Sequence, residues 1–304
     1  MRKHNTVLLY IAIIVSLYPT AIYAGKLPGL PFLRLPLDAR SGALGGTGIA
    51  LSVIPWNPSE SVQKPASAAA FTHIRGINNT DTEFLGIIFK KGTAGAFGLS
   101  VFSNNIGGIE YRTLPTAAPQ GIISAHDFFT GVSYFRIPQE GWQLGTTIRY
   151  LYQKMYIYNA SGYSADCGLR YVPKSSRFSI GAGVYNLGSM NAFISEKPEM
   201  PKTIKIGGQY AFKPDASSIH NAVIIGEYEH LFTGKNSGHF GIEYCYRQML
   251  FIRSGYATGL EERGFSAGAG IVRDRIGLNY AFLPDRSSVG SQHIFTVHII
   301  LTAK

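Results

Sequence analysis

From Ala69 onward the chain is a succession of short segments in which apolar and polar residues alternate one for one, each closed by a turn. In the segment Trp142 to Tyr152, the residues Trp142, Leu144, Ile148, Tyr150 and Tyr152 fall on one parity. Gln143, Gly145, Thr147 and Arg149 fall on the other, with Thr146 and Leu151 as exceptions. Period two puts successive side chains on opposite faces of a strand. The split recurs in Phe240, Ile242, Tyr244 and Tyr246 against Gly241, Glu243, Cys245 and Arg247, and in Ile276, Leu278, Tyr280 and Phe282 against Arg275, Gly277, Asn279 and Ala281.

About fifteen candidate strands can be read this way, from Phe71–Ile77 to His293–Leu301. They include separate strands at Ala94–Ser103 and Gly108–Thr113, divided by a turn at Asn104-Asn105, and one long strand at Trp142–Tyr158. Aromatic residues gather at segment ends, as in Tyr150, Tyr152, Tyr156 and Tyr158, where interfacial girdles place them. So many strands exceed what one sandwich uses. The expectation is an all-β fold: a closed antiparallel transmembrane β-barrel, apolar face to lipid and polar face to the lumen. Single-chain bacterial barrels have even strand numbers, which sets the expected count at about 14.

Composition fits. Charged residues make up 15%, against about 25% in soluble domains, and Gly 35, Tyr 18 and Phe 18 are high for 304 residues. The N-terminus reads as a secretory signal over residues 1–24: Arg2 and Lys3, an apolar run from Val7 to Leu17, and Ala21-Ile22-Tyr23-Ala24 with cleavage after Ala24. Losing Arg2 and Lys3, with no acid, takes the net charge from +10 to +8. The remaining bases are scattered, so nucleic acid is not an expected partner. Residues 25–69 form a Pro- and Gly-rich segment, in which Ala39–Ser52 ends in a candidate first strand and Trp56–Pro65 is a loop, and residues 70–304 form the barrel. Phe32, Leu33, Leu35 and Leu37 need apolar surroundings, which points this segment into the barrel mouth.

No catalytic, metal or cofactor motif is present: no His-x-x-His, Cys-x-x-Cys, Gly-x-Ser-x-Gly or phosphate loop. Glu227 and Glu229 share a face, but nothing supplies the further ligands or nucleophile that a cation site or acid–base site requires. The chain reads as a non-enzyme. Cys167 groups with outward positions and Cys245 with inward ones, so no disulfide between them is expected. Gly181-Ala182-Gly183 and Ala267-Gly268-Ala269-Gly270 lie in strands and mark close packing or bends.

The inward parity carries Arg149, Asp166, Arg170, Lys205, Glu227, Glu229, Glu243, Arg247, Arg253 and Arg275. Neighbouring strands bring Glu227, Glu229, Glu243, Arg247 and Arg253 together. Two readings stay open: a patch that contacts a solute or partner, and an ion-pair network that satisfies its own buried charges.

Several stretches resemble the PorV/PorQ-like outer-membrane proteins, within the wider FadL-like group of barrels similar to long-chain fatty-acid transporters. They are Phe32-Leu33-Arg34 with Asp38-Ala39-Arg40-Ser41-Gly42-Ala43-Leu44-Gly45-Gly46-Thr47-Gly48-Ile49-Ala50; Val184-Tyr185-Asn186-Leu187-Gly188 with Pro201-Lys202-Thr203-Ile204-Lys205-Ile206-Gly207; and Leu278-Asn279-Tyr280-Ala281-Phe282 with Val289-Gly290-Ser291-Gln292-His293. Where the family shows Asn-Pro-Ala, this chain departs: its best match is Lys64-Pro65-Ala66, with Asn57-Pro58-Ser59 as a second candidate. The resemblance implies a hatch-like N-terminal segment, with Leu33, Asp38, Arg40, Gly45, Gly46 and Pro65 as its marker residues. It implies residence in a bacterial outer membrane, and a role in protein export or cell-surface assembly of the type IX secretion kind. Partners would be outer-membrane lipid and secreted proteins or secretion-machinery components. The alternative it implies is passive transport of hydrophobic or small solutes; a purely structural barrel is a third reading.

Overall fold

The computed structural model describes residues 29–49, 52, 67–77, 79–92, 95–115, 117–174, 177–212, 218–286 and 290–301. The expected signal peptide and cleavage site, and Pro65, lie outside these residues. The strands are β1 (Ser67–Arg75), β2 (Thr80–Lys91), β3 (Gly95–Tyr111), β4 (Gly121–Arg136), β5 (Trp142–Met155), β6 (Tyr158–Tyr171), β7 (Phe178–Met190), β8 (Thr203–Ala211), β9 (His220–Leu231), β10 (Ser237–Tyr246), β11 (Leu250–Thr258), β12 (Phe265–Arg273), β13 (Ile276–Pro284) and β14 (Ser291–Leu301). Each pairs antiparallel with the next, and β1 pairs with β14 to close the barrel. Closure leaves no strand as an open edge of the sheet. The end where β1 begins and β14 finishes is called the near end, and the opposite one the far end.

Fifteen expected segments become 14 because β3 runs through the expected turn. The register shifts between Ile106 and Ile109, a bulge that Gly107 and Gly108 (φ 73°) accommodate. Asn104, expected in a turn, points inward and its amide bridges Thr82 and Asp127. The long segment Trp142–Tyr158 instead ends at Met155 and turns at Tyr156 (φ 56°) before β6.

Alternation becomes two unlike surfaces. Outward Ile148 is 65% exposed, while its neighbours Thr147 and Arg149 are buried inside the barrel. The inner wall is not uniformly polar. Phe84 of β2, Phe102 of β3, Phe129 of β4 and Leu151 of β5 point inward and are buried. They receive the N-terminal segment: Phe32 stacks on Phe102 at 5.7 Å, and Phe102 on Phe129 at 4.7 Å. Leu30, Phe32 and Ile49 belong to the same core. The apolar residues of that segment thus find the apolar wall they need.

The segment 29–49 plugs the lumen. A 3-10 turn at Pro31–Arg34 leads to a five-residue helix, α1 (Ala39–Ala43), at the start of the stretch whose end was expected to form a first strand; β1 instead begins at Ser67. The Asp38 carboxylate caps α1 by accepting from the Ser41 backbone N–H at 2.8 Å. Ala39 and Ala43 pack on Ile74, Ala281, Leu283 and Ile294 of the wall. The backbone comes close because the wall is glycine there. A Cβ at Gly255 would collide with the Gly45 nitrogen and the Leu44 carbonyl carbon, and one at Gly268 with Ala43 Cβ. Gly45 itself has φ 79°, and its added Cβ would sit 2.8 Å from the Phe240 carbonyl oxygen. Of the small-residue runs, Gly181 meets Ile49 and Gly268 meets Ala43, so both mark close packing against the plug.

Candidate functional site

The plug is tied to the wall by charge. Arg34 donates to Glu229 at 3.0 Å. Arg40 donates through Nε and Nη2 to the two oxygens of Glu243, each at 2.9 Å. The Gly48 N–H donates to Glu227 at 2.8 Å. Backbone ties join them: Ala39 N–H to Thr296 Oγ1 at 2.9 Å, and Gly45 N–H to Ser266 Oγ at 3.1 Å. The His239 imidazole meets the Gly45 carbonyl at 2.7 Å.

The inward charges expected from the sequence resolve into separate groups. Lys205 of β8 lies 2.9 Å from Glu229 and 3.6 Å from Glu227 on β9, and Arg34 completes that group. Arg253 of β11 donates to Glu243 of β10 at 2.6 Å and to Asn279 of β13 at 2.8 Å, with Arg40 above. Arg149 of β5 pairs with Asp166 of β6. Arg170 of β6 donates to Ser179 of β7 at 3.1 Å. Glu227 and Glu229 therefore do not share one neighbourhood with Glu243 and Arg253.

Two expected members leave the lumen altogether. Arg247 (φ 51°) lies past the end of β10 in an exposed turn, its guanidinium over the Tyr246 ring. Arg275 lies in the exposed turn between β12 and β13. Strand parity stops meaning anything where the strand stops. Of the plug markers, Leu33 and Gly46 line a cavity, Asp38 caps α1, Arg40 grips Glu243 and Gly45 supplies the close approach.

Sequence reasoning missed Arg34, His239, Asp127 and Asn279. One signal for Arg34 was present: the inward faces of β8–β11 carry Glu227, Glu229 and Glu243 against Lys205 and Arg253, and an unbalanced buried acid demands a cation from elsewhere. Asp127 accepts from Asn104 and Gln153, each at 2.8 Å.

Asp166 also acts on the backbone. The pairing of β6 and β7 shifts between Ala165 and Cys167. Opposite that bulge, Tyr185 and Asn186 both turn inward, Asn186 with φ 58°. The Asn186 N–H, lost to the ladder, donates to Asp166 at 2.8 Å, and its side-chain amide donates to the Pro201 carbonyl at 3.0 Å. Cys167 faces outward on β6 and Cys245 inward on β10, both as free thiols.

Between plug and wall is a cavity of about 430 Å³. Leu33, Leu35 and Leu37 of the plug, Tyr185 and Leu231 of the wall and Leu260 of the β11–β12 connection give it apolar sides. Arg34 and Lys205, both paired with Glu229, together with Arg149 and its partner Asp166, and Glu261, Glu262 and Arg263, give it a charged side of mixed sign. The hydroxyls of Thr47 and Thr203 and the Nε of Arg34 line this space or flank it, buried without a hydrogen-bond partner. Burial, and after it the nearby Arg34 guanidinium, holds the Arg263 guanidinium below its ordinary pKa, against the pull of Glu229 and Glu262. Because the connections β9–β10 and β11–β12 border it, the cavity lies toward the far end. A chamber with apolar sides, a charged side and a few polar groups that lack partners is suited to holding a small organic molecule.

No protein-family model matches the chain, and no curated protein matches it, so the PorV/PorQ resemblance rests on the quoted motifs alone. Solved structures share the fold. The CymD monoaromatic hydrocarbon channel superposes with a TM-score of 0.59 at 12% identity, over 88% of this chain and 98% of that one. The toluene transporter TodX of Pseudomonas putida superposes with a TM-score of 0.55 at 12% identity, over 90% of this chain and 98% of that one. At such identity the likeness is one of fold: a closed antiparallel barrel, here of 14 strands.

Proposed function

We propose that this chain is a bacterial outer-membrane barrel that passes small hydrophobic solutes by passive diffusion through a hatch-plugged lumen. The observation that carries the reading is the 430 Å³ cavity at the far end, bounded on one side by the plug's own leucines. A band of exposed aliphatic and aromatic residues, among them Ile148, Tyr163 and Ile252, covers the outer wall. Such a band is stable in hydrocarbon and costly in water. Two solved barrels of similar fold, CymD and TodX, are named as a monoaromatic hydrocarbon channel and a toluene transporter, which supports solute transport more than protein export. A folded export substrate is far larger than this chamber.

The polar groups without partners in the cavity suit a solute with an apolar body and one polar end. The test is uptake of radiolabelled toluene by Gram-negative host cells that express the full chain, compared with an empty vector. Uptake several-fold faster at limiting toluene is the expected result. Equal uptake, with the barrel correctly inserted, would overturn the reading.

A further inference from the structure

The near and far rims differ in charge. At the near end each of five connections presents an exposed base: Lys91 at β2–β3, Arg136 at β4–β5, Arg177 at β6–β7, Arg247 at β10–β11 and Arg273 at β12–β13. Lys90 and Arg275 stand beside them, and the acids among the described residues there are Glu140, paired with Lys174 at 2.9 Å, and Asp274. On the far rim, by contrast, Arg112 pairs with Glu110 and Lys235 with Glu261, and Glu262 and Asp285 add further acids.

Three features give this excess charge a direction. Lys91, Arg136 and Arg273 continue the parity of the outward residues, so they stand on the outer wall and not across the mouth. The Lys91 ammonium lies 5.2 Å from the centroid of outward Phe97, and the Arg247 guanidinium 5.3 Å from that of Tyr246. Just inside the rim runs an aromatic belt that includes Phe97 with Tyr134 at 5.0 Å and Trp142 with Tyr171 at 4.7 Å. Aromatic belts mark headgroup depth. The bases also go around much of the circumference, whereas a single protein partner would call for a one-sided patch.

We propose that the near rim is a binding surface for anionic glycerophospholipid headgroups, which gathers them around the barrel in that leaflet. The proposal rests on the membrane reading above. Each base near a charged membrane surface adds a modest attraction that salt weakens.

Trp142, on the outer wall at the near end of β5, is a built-in reporter, because Trp56→Phe leaves it the only tryptophan. The full-length protein carrying that change is placed in zwitterionic vesicles doped with brominated phosphatidylglycerol or brominated phosphatidylcholine at equal mole fraction. Quenching of Trp142 is expected to be about twofold stronger with the anionic lipid at low salt, and to approach parity at high salt. Arg136→Gln with Arg177→Gln, next to the reporter, should remove the difference. Arg112→Gln with Arg286→Gln, on the far rim, should leave it intact; heat-modifiable gel mobility confirms a folded barrel in every variant. Equal quenching by both lipids overturns the rim proposal and leaves the membrane reading standing. No quenching by either overturns both.

Discussion

Arg40 of the plug and Glu243 of β10, 203 residues apart in sequence, are joined by two hydrogen bonds of 2.9 Å each inside the barrel. Glu243 also holds Arg253, so one carboxylate serves two guanidiniums. Removing the acid takes the charge partner from buried Arg253 and part-buried Arg40 at once, whereas removing Arg40 leaves the Glu243–Arg253 pair intact. Glu243→Gln should therefore destabilise by about 3–5 kcal/mol and Arg40→Met by clearly less. Urea unfolding in lipid vesicles measures both; equal losses would contradict the shared-acid arrangement.

Gly255 should tolerate no side chain while the plug is seated, since its Cβ would overlap the Gly45 nitrogen. Gly255→Val is expected to push the plug off the wall and leave the strand ladder whole. Single-channel recording would then show larger and noisier conductance, with heat-modifiable mobility unchanged. A conductance equal to that of the parent would contradict the close approach.

Asp166→Asn should weaken the β6–β7 bulge, because the charge partner of Arg149 is lost where the Asn186 N–H also needs an acceptor. A loss of about 3 kcal/mol is expected. Arg170→Gln, which keeps an amide in place of the guanidinium that donates to Ser179 and Gln143, should cost less. Paired denaturation curves test the order.

Thr203→Val is expected to be neutral or stabilising by up to about 1 kcal/mol, because it replaces a buried hydroxyl without a partner by a methyl of similar shape. Leu33→Trp, by contrast, fills the chamber. It should abolish toluene uptake and keep a folded barrel, which the cellular assay with a surface-expression control reads directly.

Strands and their faces were legible because period two is a local property: Trp142 to Tyr152 reveals its faces without reference to any partner. The errors fall where local reading ends. Gly107-Gly108 looks like a break in sequence, yet the ladder crosses it as a bulge. Parity was carried past the last strand residue at Arg247 and at Arg275. Helix α1 has five residues, too few to print a period of 3.6. Phe84, Phe102 and Phe129 look out of place in a lumen until Phe32 arrives to cover them. The Arg34–Glu229 and Arg40–Glu243 ties join residues about 200 apart, a distance at which no spacing rule operates.

The Thr296 hydroxyl on β14 accepts from the Ala39 backbone N–H, and it also meets the Thr72 hydroxyl of β1 at 2.9 Å across the closing seam. During biogenesis the plug emerges first, but the seam exists only after the last strand is made. If β14 slipped by one residue against β1, position 296 would face outward, and the plug would lose its anchor at the moment of closure. The register of the closing seam and the seating of the N-terminal segment are thus linked through one hydroxyl: a barrel closed one residue out would forfeit this tie between its first-made and last-made parts.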